Sequence, residues 1–193
     1  MKNAIRIQFF FLFCFIPFRI FAQQNRTTQW ESGVMEKKEK VGVWEYYGYT
    51  TSKRQVTVMK YDHTAKKLIY YRPIEEATYN TELSPGNWTR RLVDQPPLYI
   101  GGDAALAAYT SKVNYPQQAL DKNLQGKVLI GIVVDTLGHA SGHHVVQRVG
   151  GGCDEEALRV SQKIPDLWIP ARVGSKAVPV EYELPFTFRL ATP

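Results

Sequence analysis

The stretch from Val178 to Leu190 constrains the fold more than any other part of the chain. Val178, Val180, Tyr182, Leu184, Phe186, Phe188 and Leu190 alternate without a break with Pro179, Glu181, Glu183, Pro185, Thr187 and Arg189. A sustained period of two predicts a β-strand with one face on a core and the other in water. Backbone N–H groups point alternately to the two edges of a strand, so Pro179 and Pro185, six apart, remove donors from the same edge. Proline in a sheet is confined mainly to edges, bulges and strand starts. One side of this strand is therefore expected to pair inward, and the proline-marked side to be open, blunted by the prolines together with Glu181 and Glu183. An open edge is also a place where another chain can add a strand.

The inward partner is legible upstream. In Lys127–Asp135, Val128, Ile130, Ile132 and Val134 share one face, while Leu129 and Val133 make the other partly apolar, as in a strand covered on both sides. Asp135-Thr-Leu-Gly138 reads as a turn, and His144–Val149 as the returning strand of a hairpin. Gly150-Gly151-Gly152 breaks that strand and reads as a flexible joint. Asp154, Glu155 and Glu156 then open a helix with Ala157, Val160 and Ile164 as its buried stripe, and Pro165 closes it. Two short helices are expected earlier. The first is capped by Asp103 and turns Leu106, Tyr109 and Val113 inward. The second starts at Tyr115-Pro116, carries Leu120 and Leu124 one turn apart, and stops at Gly126.

The N-terminal half has a different character. Val41–Tyr49, Gln55–Tyr61 and Lys67–Tyr71 are rich in aromatic and β-branched residues and predict a three-stranded meander, with its aromatics mostly forming a small core. Were these aromatics exposed instead, they would form a binding patch. Gln23 to about Glu39 is polar and reads as a lead-in with little structure. Tyr79–Pro97 shows no period and carries the turn clusters Ser84-Pro85-Gly86-Asn87 and Asp94-Gln95-Pro96-Pro97, so it reads as a boundary.

The beginning of the chain reads as an export leader. Lys2 and Arg6 precede the apolar run Phe9–Phe18, and Ala22 stands before Gln23-Gln24. The run is half of the roughly 20 apolar residues a spanning helix needs. A cleaved secretory signal over residues 1–22 is therefore expected, with an uncleaved inner-membrane anchor as the alternative. The formal net charge is +6, but three of the 24 basic residues lie in the leader. Without it, 21 basic residues face 18 acidic ones, too slight an excess to point to nucleic acid. A cut after Ala22 also removes Cys14 and leaves Cys153 alone. That excludes an internal disulfide, and the acids beside Cys153 favour a buried apolar role over a reactive thiolate.

Enzymatic chemistry finds little support. His139, His143 and His144 lie within six residues. Neighbours on a strand face opposite sides, however, and His139 belongs to the turn, so the three read as exposed hairpin histidines rather than metal ligands. No G-x-S-x-G, H-E-x-x-H or phosphate loop is present in the sequence. The expectation is a non-enzymatic protein with no cofactor and no metal.

Several short motifs then fall into one order. Tyr115-Pro116 with Ala119, Gln125-Gly126-Lys127-Val128, Val134-Asp135 with Gly138, Val145-Val146, Asp154-Glu155-Glu156-Ala157-Leu158, Pro165, Trp168-Ile-Pro-Ala171, Gly174 and Leu184-Pro185-Phe186 with Phe188 resemble the TonB C-terminal domain family over about residues 96–190. The resemblance implies an α+β fold: a three-stranded antiparallel sheet packed with helices over residues 96–193, preceded here by a β-rich module with linker over residues 23–95. It implies work in the periplasm, where members pass energy from an inner-membrane motor of the ExbB and ExbD type to outer-membrane TonB-dependent receptors. They do so by pairing with an extended segment of the receptor plug. Carried onto this sequence, the docking surface comprises Lys112, Val113, Asn114, Tyr115 and Pro116 with Pro179, Glu181, Glu183, Pro185 and Thr187.

The chain departs from that pattern between Gln23 and Gln95, where a transducer has a long charged, proline-rich spacer. These 73 residues would reach on the order of 250 Å if extended at about 3.4 Å each, and far less as folded hairpins. An interaction or adaptor module with the same fold and no force transmission is therefore the second expectation.

Overall fold

The computed structural model describes residues 23–72 and 78–190. The expected leader lies outside the described residues. Among those described, no helix is long and apolar enough to cross a membrane.

Residues 24–71 form an antiparallel meander of five strands in chain order: β1 (Gln24–Thr27), β2 (Glu31–Glu36), β3 (Glu39–Tyr49), β4 (Gln55–Asp62) and β5 (Lys67–Tyr71). The three expected strands are β3 to β5. The polar lead-in corrects the sequence reading, because it supplies β1 and β2. Backbone pairing of β1 with β2, and of β2 with β3, orders these residues although every residue of β1 is exposed. Trp44 shows why β2 fits. Its indole Nε1 donates to the carbonyls of Val34 at 3.1 Å and Val41 at 3.2 Å, and its ring lies where a Cβ on Gly33 would come within 2.3 Å. Trp44, Tyr46 and Met59 are the buried centre of this N-terminal sheet, with Leu98 and Ile169 packed against them from the rest of the chain. Trp30, Tyr49 and Tyr70 are exposed, so the aromatics divide between core and surface.

The second half contains β6 (Thr78–Ser84), β7 (Asn87–Leu92), β8 (Leu98–Tyr99), α1 (Gly102–Thr110), α2 (Gln117–Asp121), β9 (Gly126–Val134), β10 (Ala140–Gln147), α3 (Cys153–Ser161), β11 (Trp168–Ile169), β12 (Ala171–Val173), β13 (Lys176–Val178) and β14 (Val180–Phe188). The main sheet has the order β10-β9-β14-β6-β7. The expected three-stranded sheet is thus the β10-β9-β14 part of a five-stranded one. The extra hairpin, β6–β7, is made from the segment that the sequence reading left as a boundary. Its turn is at Pro85-Gly86, and Thr81 is fully buried with its hydroxyl donating to the Thr89 carbonyl at 3.0 Å.

Val128, Ile130, Ile132 and Val134 of β9 and Val180, Leu184, Phe186 and Phe188 of β14 are all at most 1% exposed, and the helices cover this face. Several local expectations are corrected. The N-cap of α1 is Gly101, which makes no side-chain cap, and Asp103 stands in the first turn. Pro116 is the N-cap of α2, whose buried residue is Ala119 while Leu120 is exposed. That helix ends at Lys122, with Asn123 in the left-handed region, and Gly126 belongs to β9.

The glycine triplet is a tight corner rather than a flexible joint. Gly150, Gly151 and Gly152 all have positive φ, at 83°, 63° and 88°, a run that other residues disfavour. A Cβ on Gly151 would come within 2.8 Å of Leu124, and one on Gly152 within 3.1 Å of Pro116. Asp154 secures the corner. It is 4% exposed, and its Oδ1 accepts from the backbone N–H groups of Val149 at 2.8 Å and Gly150 at 3.2 Å.

Candidate functional site

The candidate site is built on β14. All nine residues of this strand pair with β9, from Val180 opposite Val134 to Phe188 opposite Gly126. On its other side β14 pairs with β6 only through Val180 opposite Thr81 and Glu181 opposite Asn80. The Glu82 N–H donates to the Pro179 carbonyl at 3.1 Å, which fixes the direction of that edge. N–H and C=O of one residue point to the same side, and alternate residues share a side. Glu183, Pro185 and Thr187 therefore direct their backbone groups away from β9. Among the described residues no strand pairs with β14 there between Tyr182 and Phe188. This open stretch offers N–H donors at Glu183 and Thr187, none at Pro185, and carbonyl acceptors at all three. The three side chains are exposed.

The remainder of the expected edge is corrected. Pro179 and Glu181 lie under β6 and are not open. Glu181 ties three strands on the wet face. Its Oε2 accepts from Asn80 Nδ2 at 2.9 Å, and its Oε1 stands 3.1 Å from Nε2 of His144 on β10. His144 reaches across β9 because Gly131 has no side chain, and a Cβ there would come within 2.6 Å of the imidazole.

The second cluster of expected residues meets β14 at one end. The Tyr115 ring packs edge-on against Phe188, with centroids 5.7 Å apart, and its hydroxyl donates to the Leu124 carbonyl at 2.5 Å. Burial, and to a lesser degree Cys153, raises the Tyr115 phenol above its ordinary value. Pro116 packs at Gly152. Asn114 donates its N–H to Glu156 at 2.7 Å, and Arg159 holds the same carboxylate through two bonds, chiefly accounting for its lowered pKa. Val113 packs against the core, and the Lys112 ammonium sits 4.6 Å from the centre of the Tyr109 ring. Tyr115 and Pro116 thus flank the Phe188 end. Pro179 lies nine residues away, about 30 Å along an extended strand.

The histidines are placed as follows. His144 lies on the wet face. His143 is influenced instead by Ser161 and Asp166, and burial is the main cause of its lowered pKa. His139 stands 3.6 Å from Asp166. Among the described residues no group of three or more histidines, cysteines or acids could hold a metal ion. Cys153 is fully buried, and burial, then the Asp154 and Glu155 charges, raises its thiol pKa.

Sequence reasoning missed the hairpin that covers part of β14. The available signal was the Pro85-Gly86 turn between two runs rich in threonine and aromatic residues. The fold and its edge define a class: a small α+β module with one strand edge, at Glu183, Pro185 and Thr187, that no described strand covers, beside a proline-capped loop. Residues 111–190 match the family model described as Gram-negative bacterial TonB protein C-terminal. Residues 111–190 thus carry the likeness to the TonB C-terminal domain family, a family of non-enzymatic energy-transducing and interaction domains of the bacterial envelope. No curated protein and no solved structure matches the chain.

Proposed function

We propose that the chain is an exported, periplasmic protein that takes an extended plug segment of an outer-membrane TonB-dependent receptor onto β14 between Tyr182 and Phe188, and so supports receptor-driven transport. The observation that carries this reading is the uncovered edge itself, where among the described residues no strand takes the Glu183 and Thr187 donors of a strand held firmly by β9. Main-chain pairing grips an extended partner without demanding much of its sequence. Tyr115 and Pro116 border the far end of the stretch, and Lys112 and Asn114 stand exposed on the same loop.

A second reading, an adaptor that does not itself pull, is favoured by one observation. Residues 24–71 are folded into a sheet packed on the C-terminal domain, where a force-bearing spacer would be extended. An ExbB and ExbD-type motor enters only if the leader is retained as an anchor.

The test places a photo-crosslinking amino acid at Pro185 in the producing cells and maps the crosslinked partner by mass spectrometry. The expected product joins the chain to the plug segment of an outer-membrane receptor. The double substitution Glu183→Pro with Thr187→Pro removes two edge donors that β9 does not use. At about 1 kcal/mol per bond it should weaken capture by roughly tenfold or more, with the melting temperature little changed. Crosslinks that fall elsewhere, or that persist at full yield in the double variant, would remove the edge from the docking surface.

A further inference from the structure

Where the N-terminal sheet meets the main sheet, the protein forms a cleft of about 260 Å³ that opens to solvent. One wall is a run of rings. Tyr79 stacks on Tyr182 at 6.5 Å between centroids, Trp168 leans on Tyr182 at 5.2 Å, and Tyr99 meets Trp168 edge-on at 5.1 Å. Two opposite charges line the same cavity, Arg72 just beyond β5 and Asp103 in the first turn of α1. They do not pair with each other, and among the described residues neither side chain enters an ion pair or a hydrogen bond. Tyr99, 4% exposed, has a hydroxyl with no hydrogen-bond partner. The Tyr109 phenol acts on that hydroxyl electrostatically, but the pair falls short of hydrogen-bond geometry.

We infer that this cavity binds a free α-amino acid with a large apolar side chain, its carboxylate on Arg72, its ammonium on Asp103 and its side chain against Tyr99, Trp168 and Tyr182. The charge pattern selects the class. A ligand carrying both signs a few ångströms apart answers both walls at once, whereas an anion or a cation alone leaves one of them unanswered. The size selects it too, because sites for larger ligands occupy about 300–1,000 Å³. The aromatic wall supplies apolar burial. Because Met59 and Arg72 come from the N-terminal side and Tyr182 from β14, a bound molecule touches both halves of the chain. Its binding then raises the melting temperature of both together.

The experiment is isothermal titration calorimetry of the intact chain with L-phenylalanine, phenethylamine, which lacks the carboxylate, and 3-phenylpropionate, which lacks the ammonium. Saturable binding of L-phenylalanine is expected, with each single-charge analogue at least about tenfold weaker, a loss of about 1.4 kcal/mol. Arg72→Gln and Asp103→Asn should each weaken phenylalanine by a similar factor while melting like the unchanged protein without ligand, since both residues are exposed. No saturable heat from phenylalanine up to about 10 mM, equal binding of all three compounds, or affinity indifferent to both substitutions would each overturn the assignment. None of these outcomes bears on receptor docking, which uses the backbone edge of β14 at Glu183, Pro185 and Thr187 rather than the Tyr182 ring that lines the cavity.

Discussion

Tyr46 joins the packing of the N-terminal sheet to its charges. Its hydroxyl accepts from the Lys40 ammonium at 3.3 Å and shares a hydrogen bond of 2.6 Å with Nε2 of His63, while Lys40 also pairs with Glu31 at 2.5 Å. Burial, then the Lys40 charge, lowers its pKa below the ordinary 6.5, and burial raises that of Tyr46. The linkage sign follows: the unfolded chain takes up the His63 proton more readily, so stability from this residue is complete above pH 6.5 and is lost as pH falls through the lower folded value. Denaturant melts at pH 7.5 and 5.5 should show a lower midpoint in acid. His63→Gln, which keeps a hydrogen-bond partner for Tyr46 and does not titrate, should reduce the difference. Part of it will remain, because burial lowers His143 in the same direction. An unchanged acid loss in the variant would remove His63 as its source.

The strands differ in how much of their pairing the sequence discloses. The alternation of β14 and the doubly apolar β9 were legible because packing imprints them residue by residue. Pro179 just before β14 and Pro185 within it disclosed which edge lacked donors, although not that β6 would cover the first two residues of the strand. That ladder joins Asn80 to Glu181 across 101 positions of sequence, and β6 has only one well-buried side chain, so no local period marks it. Amide exchange provides a direct test of the edge. The N–H groups of Tyr182, Leu184, Phe186 and Phe188 face β9 and should exchange slowly, whereas those of Glu183 and Thr187 should exchange at least about a hundredfold faster if no strand covers them. Equal protection along the strand would mean that the edge is already occupied. Adding a receptor segment should slow the two fast amides and leave the others unchanged.

Over the whole molecule, the two sheets share an interface rather than a tether. The inner face of the N-terminal sheet rests on Leu98 and Ile169, and the Tyr71 hydroxyl donates to the Asp94 carbonyl at 2.7 Å. Sequence composition suggested two modules but could not show them touching, since the meeting residues are single apolar positions within loops and short strands. A cut after Ala22 would leave β1, which begins at Gln24, intact. The mature protein should therefore have a mass beginning at Gln23 and fractionate with soluble periplasmic proteins. A mass beginning at Met1 in the inner-membrane fraction would restore the anchor and favour the force-transmitting account. Pro185 also bears on self-association. Two copies meeting antiparallel about their Pro185 residues would set proline against proline and forfeit both bonds of the central pair, while a foreign strand with an ordinary residue there still donates one. In that register the edge thus discriminates against its own kind, because the lost pair of bonds falls only on a copy of the same chain.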